Sequence, residues 1–132
     1  MGLQISTRES SGITVLDFRG RLTVNDRDCE LLYAQLQELS TSGVRRFLLN
    51  LADLTQIDSW GVGTIVKAYR SIRDHGGDLK LMRPSGHALE VFRALHLLEM
   101  IPSFDEENLA VASFSAAGVS QSLKRFEGRR PE

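Results

Sequence analysis

Asp58 and Ser59 set a carboxylate beside a primary alcohol, and Trp60-Gly61-Val62-Gly63 follows them directly. The pair comes after a mostly apolar run, Phe47 to Leu51, and before an amphipathic stretch, Val62 to Ile72. That order predicts that Ser59 lies where a strand and its loop turn into a helix. The free N–H groups of a first helical turn, together with the helix dipole, favour an anion such as a phosphate. Gly61 and Gly63 would each cost a free helix about 1 kcal/mol relative to alanine. They are explained if another surface must come close to the backbone there. Asp58 either positions the hydroxyl or caps the helix, and it would repel an added phosphate. Phosphorylation adds about −1.5 to −2 charges, enough to disturb a docked interface. The chemistry expected at Ser59 is therefore a reversible phosphate switch. Ordinary Asp-Ser capping fits the same residues, and Trp60 either folds over the helix terminus or stands out as an aromatic anchor for a partner.

The elements that must hold this site read as follows. Leu3 to Thr7 and Ile13 to Phe18 predict two strands joined by a hairpin loop over Glu9-Ser10-Ser11-Gly12, and Gly20 to Thr23 a short strand or bend. Asn25 is the expected N-cap of a helix whose stripe is Cys29, Leu32, Leu36 and Leu39, ending near Ser42-Gly43. Cys29, on that stripe, is expected to be a buried small apolar residue. Val44 to Leu51 predicts a strand covered on both faces. Val62, Ile65, Val66, Tyr69 and Ile72 form a second helical stripe, stopped by His75-Gly76-Gly77-Asp78 before a strand at Leu79 to Met82. Pro84-Ser85 opens a third helix with Ala88, Phe92 and Leu95 on one face. Leu97 to Ile101 reads as a weak strand. Ser103 and Glu106 have capping-box spacing ahead of a last helix running to about Phe114. The order implies a single α/β domain over residues 1–116, with a mixed, mostly parallel sheet, an N-terminal antiparallel hairpin and about four helices. Residues 117–132, basic and without pattern, are expected to be a flexible tail. In such a sheet, sites form at the carboxyl ends of strands, where Asp58 and Ser59 fall.

Composition excludes several function classes. Sixteen basic and seventeen acidic residues give a net charge of −1, which asks for neither nucleic acid nor an anionic membrane. One cysteine excludes an intrachain disulfide and a thiolate metal cluster. No apolar run reaches the roughly 18 residues of a membrane span. A cytoplasmic protein without metal or cofactor is the expectation. No Walker A run, H-x-x-x-H pair or Gly-x-Ser-x-Gly elbow is present, so no catalytic residue is assigned. His75, His87 and His96 lack partners at informative spacing, and His87 reads as a first-turn surface residue. Thr64 reads as a surface helix residue.

The segment Asn50 to Gly63 resembles the signature of the STAS domain family, most closely that of the bacterial anti-sigma factor antagonists. Gly20-Arg21-Leu22 is similar to the Gly-x-Leu that ends the family's N-terminal strands, and His75 to Leu81 to its second-helix exit. The likeness spans about residues 3 to 114. It implies that Ser59 is the phosphoacceptor, and that Thr23, Asp58, Ser59, Trp60, Gly61, Val62 and Gly63 belong to the partner-binding surface. The implied partner is an anti-sigma factor with a GHKL-type kinase fold, which phosphorylates Ser59 with ATP and so weakens the complex. A PP2C-type phosphatase reverses the step. Three positions depart from the family's pattern: Thr23 stands for an aspartate, Trp60 for a second serine and Val62 for a leucine. Two alternatives follow. One is a scaffold or self-associating module that is never phosphorylated. The other is a sensor of an apolar small molecule, with Trp60 and the Phe92 region lining its pocket.

Overall fold

The structure is a computed structural model and describes residues 2–124, with side chains described for residues 2–115 apart from Asp26. Five strands form one sheet in the order β1-β2-β3-β4-β5. β1 (Leu3–Ser10) and β2 (Ile13–Leu22) are antiparallel. Ser11 and Gly12, both at positive φ, close a two-residue turn between them. β3 (Arg46–Ile57), β4 (Asp78–Met82) and β5 (Ser103–Phe104) then add in parallel.

Each parallel crossover carries a helix: α1 (Asp28–Thr41), α2 (Ser59–Asp74) and α3 (Gly86–Ala94). These three cover one face of the sheet, where Leu16, Leu49 and Leu81 meet Leu36, Ile65, Ala68 and Phe92. α4 (Glu107–Lys124) covers the other face, with Ala110 and Phe114 on Val15, Leu48 and Met82. Both sides of β3 are therefore dry. That is why Phe47-Leu48-Leu49 is uninterrupted by a polar residue. Mixed sheet, hairpin and four helices agree with the architecture expected from the sequence.

Four local expectations are corrected. Asn25 is not an N-cap. It sits in a 3₁₀ turn, Val24–Asp26, and Arg27 passes through a left-handed conformation before α1 starts at Asp28. Leu95 falls beyond the end of α3 and is 48% exposed, outside the core. Leu97 to Ile101 holds a 3₁₀ turn at Leu97–Glu99 rather than a strand. Leu97 and Ile101 drop into the core from it, so the apolar pattern marks burial and not extension. Ser103 belongs to β5, so it cannot cap α4. α4 starts at Glu107, whose carboxylate instead takes two hydrogen bonds from Arg8, at 2.7 and 2.9 Å.

α4 continues past Phe114 to Lys124. Of the tail expected at 117–132, residues 125–132 lie outside the described residues.

Candidate functional site

The site is built at the carboxyl ends of β2 and β3. β3 ends at Ile57, Asp58 is extended, and α2 begins at Ser59. Asp58 is the N-cap. Its Oδ1 accepts from the Gly61 N–H at 2.9 Å, and its Oδ2 accepts from the Val24 N–H at 3.0 Å. One carboxylate thus closes the first turn of α2 and ties down the 3₁₀ turn after β2. The Asp58 carbonyl takes the Val62 N–H at 3.0 Å, the first bond of the helix. The Ser59 and Trp60 amides have no carbonyl within the helix to donate to. The Ser59 side chain is exposed, and its hydroxyl makes no hydrogen bond among the described residues. An exposed alcohol is therefore carried by the first residue of a 16-residue helix, in the turn whose amides are unpaired and at the helix's positive end.

The Asp58 carboxylate is engaged elsewhere. Both Asp58 oxygens already act as caps, and no cluster of metal-ligating side chains occurs among the described residues.

Two faces of the first turn separate cleanly. Gly61 looks inward: a Cβ there would run into the Leu22 carbonyl oxygen and come within 2.7 Å of Ile57 Cγ1. Val62 points the same way and is 6% exposed. Gly61 is therefore a contact point between α2 and the end of β2, and not the open ground for a partner expected from the sequence. Gly63 is exposed, with nothing within 4 Å of an added Cβ. Trp60 is 66% exposed and does not fold over the helix end. Thr23 lies beneath the surface at 6% exposure, with its hydroxyl accepting from the Asn25 N–H at 3.5 Å. Of the seven expected partner-facing residues, Ser59, Trp60 and Gly63 face solvent and Asp58 is half-buried. Thr23, Gly61 and Val62 support them from below.

Beside Ser59, α1 and α2 part to leave a cleft of about 630 Å³. Cys29 and Tyr33 line it from α1; Ser59, Trp60, Thr64 and Lys67 line it from α2. Lys67 Nζ sits over the Tyr33 ring at 4.3 Å from its centre. Cys29 is half-buried, with its Sγ 3.6 Å from the Thr23 carbonyl oxygen. Burial pushes its thiol pKa up, the Thr64 hydroxyl opposes this, and the Asp58, Asp28 and Glu30 carboxylates add to it. That direction disfavours the thiolate, the reactive form of cysteine. Phe92 is fully buried under α3 and is not part of this cleft, so Trp60 and Phe92 do not share a pocket.

Sequence reasoning missed the cleft because its two walls are thirty residues apart in the chain. His87 is the exposed first-turn residue expected from the sequence, but its bond was missed: Nε2 lies 3.2 Å from the Ile57 carbonyl oxygen. No local spacing signals a bond from a side chain to a distant backbone carbonyl.

The profile of the STAS domain family matches residues 4–110. The chain belongs to the STAS domain family. This STAS domain is 27% identical over 115 residues to BtrV of Bordetella bronchiseptica, provisionally named an anti-sigma factor antagonist. That alignment covers 87% of the chain and 97% of BtrV. The fold matches the anti-sigma factor antagonist SpoIIAA in its unphosphorylated form with a TM-score of 0.72 at 20% identity, over 86% of this chain and 97% of that one. The phosphorylated form of SpoIIAA, from Bacillus, matches with a TM-score of 0.63 at 21% identity, over 85% and 98%. Among the described residues no helix of the STAS domain is long and apolar enough to cross a membrane.

Proposed function

We propose that this STAS domain is an anti-sigma factor antagonist that binds its anti-sigma factor when Ser59 is unmodified and lets go when Ser59 is phosphorylated. The observation that carries the reading is the exposed Ser59 hydroxyl in the first turn of α2, where the Ser59 and Trp60 amides are unpaired, next to an exposed tryptophan. The names of BtrV and SpoIIAA support the role, and SpoIIAA occurs in both phosphorylated and unphosphorylated forms.

In this reading the anti-sigma factor has a GHKL-type kinase fold and supplies both ATP and the catalytic base. The Ser59 oxygen attacks the γ-phosphorus, ADP leaves, and the hydroxyl proton passes to the kinase. The STAS domain is the substrate and contributes no catalytic group. A PP2C-type phosphatase hydrolyses the ester, and all three proteins work in the cytoplasm.

The phosphate's inner side meets the two amides and the helix dipole, which stabilise it. Its outer side sets about two negative charges beside the Asp58 carboxylate, on the patch that Trp60 and Gly63 offer the partner. Docking is lost because those charges would have to be desolvated against the partner without a counter-ion.

The test is incubation with ATP and the cognate anti-sigma factor, followed by intact-mass measurement. The expected result is a gain of one phosphoryl group in the native chain and none in Ser59→Ala. A chain that binds the anti-sigma factor yet stays unmodified would overturn the switch and leave a phosphate-independent scaffold.

A further inference from the structure

We infer that His87 is a positioning residue for Ser59, acting from α3 through the peptide that joins Ile57 to Asp58. The kinetic part of this inference rests on Ser59 being the phosphoacceptor; the structural part does not.

The sheet explains why such a residue is needed. β4 accompanies β3 only as far as Asn50, which pairs with Met82. β3 then runs on to Ile57 beside β2 alone, so its β4 side has no neighbouring strand over that stretch. α3 fills the space, with Ala88 and Phe92 in the core. His87 is in the first turn of α3, and its Nε2 lies 3.2 Å from the Ile57 carbonyl oxygen.

A carbonyl oxygen only accepts, so Nε2 carries the proton. The other end of the same peptide is the Asp58 N–H, which donates to the Leu22 carbonyl at 3.4 Å, a long bond. One peptide is thus held from both sides, by β2 through its N–H and by α3 through its C=O. Without His87 only the long bond remains.

This peptide is the last rigid unit before the cap. Rotating it swings the Asp58 carboxylate, whose two oxygens seat Gly61 and Val24 at 2.9 and 3.0 Å. The direction in which Ser59 offers its hydroxyl follows. His87 touches neither the hydroxyl nor the transferred group. Its effect is on the fraction of time that Ser59 spends in the orientation a kinase can use.

The experiment has three arms on the full chain. Long-range ¹H–¹⁵N NMR of the wild type is expected to give the Nε2–H tautomer for His87. Amide hydrogen exchange is expected to speed up several-fold in His87→Ala at Asp58, Gly61 and Val24, whose N–H groups are bonded through this peptide and its carboxylate, with the core amides unchanged. In the kinase assay, kcat for His87→Ala is expected to fall about three- to tenfold, as loss of one neutral hydrogen bond implies, with KM unchanged. His87→Gln, whose side-chain amide can donate from a similar position, is expected to restore both exchange and rate.

An Nδ1–H tautomer, wild-type exchange in His87→Ala, or failure of glutamine to rescue would overturn the inference. If the wild type takes no phosphate, the switch reading fails separately, and the tautomer and exchange arms still decide the role of His87.

Discussion

Replacing Gly61 and Gly63 in turn by alanine makes the same chemical change two residues apart on one helix, and the two variants should move stability in opposite directions. At Gly61 the new methyl group meets the Leu22 carbonyl oxygen, Ile57 Cγ1 at 2.7 Å and Leu22 Cγ at 3.0 Å. The first of these is backbone at the end of a paired strand and cannot rotate aside. Forcing an extra methyl group into a filled site costs about 1–3 kcal/mol. Alanine returns up to about 1 kcal/mol of helix propensity. The net expectation for Gly61→Ala is a loss of roughly 1–2 kcal/mol. For a domain of this size that lowers Tm by about 3–8 °C.

At Gly63 nothing lies within 4 Å of the added carbon, so only the propensity gain remains. Gly63→Ala should raise stability by about 0.4–1 kcal/mol, or Tm by about 2–4 °C. Paired thermal melts and urea titrations measure both changes. Equal stability of the two variants, or a stabilised Gly61→Ala, would refute the inward placement of Gly61. The binding effects should be reversed: Gly63→Leu should weaken partner docking while leaving Tm near that of the wild type.

Asp58→Ala should cost about 2–3 kcal/mol in urea titrations, since it removes an N-cap and a second bond to a charged acceptor, and Asp58→Asn should cost clearly less. Trp60→Ala should change stability by no more than about 0.5 kcal/mol, yet weaken binding of the anti-sigma factor by about 2 kcal/mol in calorimetry, because the ring is exposed in the free chain. The Arg8 cluster predicts an acid limb. Hydrogen bonds from Arg8 hold the carboxyl groups of Asp17 and Glu107 below their usual pKa values, although burial acts against this in both. A lowered folded-state pKa contributes stability that is complete above the unfolded value and is lost as pH falls through the folded one. Stability should therefore decline from about pH 4 downward. Arg8→Gln should flatten that decline in denaturant titrations between pH 3 and pH 6, and an unchanged slope would discount the cluster.

The location of the site was legible because strand and helix patterns change between Leu51 and Val62, and only a short segment can lie between them. The double burial of β3 was legible for a similar reason: no polar residue interrupts Phe47-Leu48-Leu49. The inward turn of Gly61 was also available. It stands four, seven and eleven residues before Ile65, Ala68 and Ile72, all buried, so helical phase alone puts it on the core face. Other features depend on partners far along the chain. Asn25 has the chemistry of a cap, but Asp58, thirty-three residues later, fixes the turn that contains it by holding the Val24 N–H. Ser103 has capping-box spacing, yet pairing with β4 draws it into a strand. The cleft beside Ser59 needs α1 and α2 to be set side by side, as the bond from Gln37 to Ser71 at 2.8 Å does, and no single segment encodes that. His87 was legible as a first-turn surface residue, but its bond was not, because the acceptor is a backbone carbonyl, which every residue possesses.

Calorimetric titration of the cognate anti-sigma factor with the unmodified chain, and with the same chain phosphorylated stoichiometrically at Ser59, tests the central claim most directly. The account predicts tight binding of the first and an affinity at least about tenfold lower for the second, from burying the added charge without a partner. Equal affinities for the two forms would contradict it.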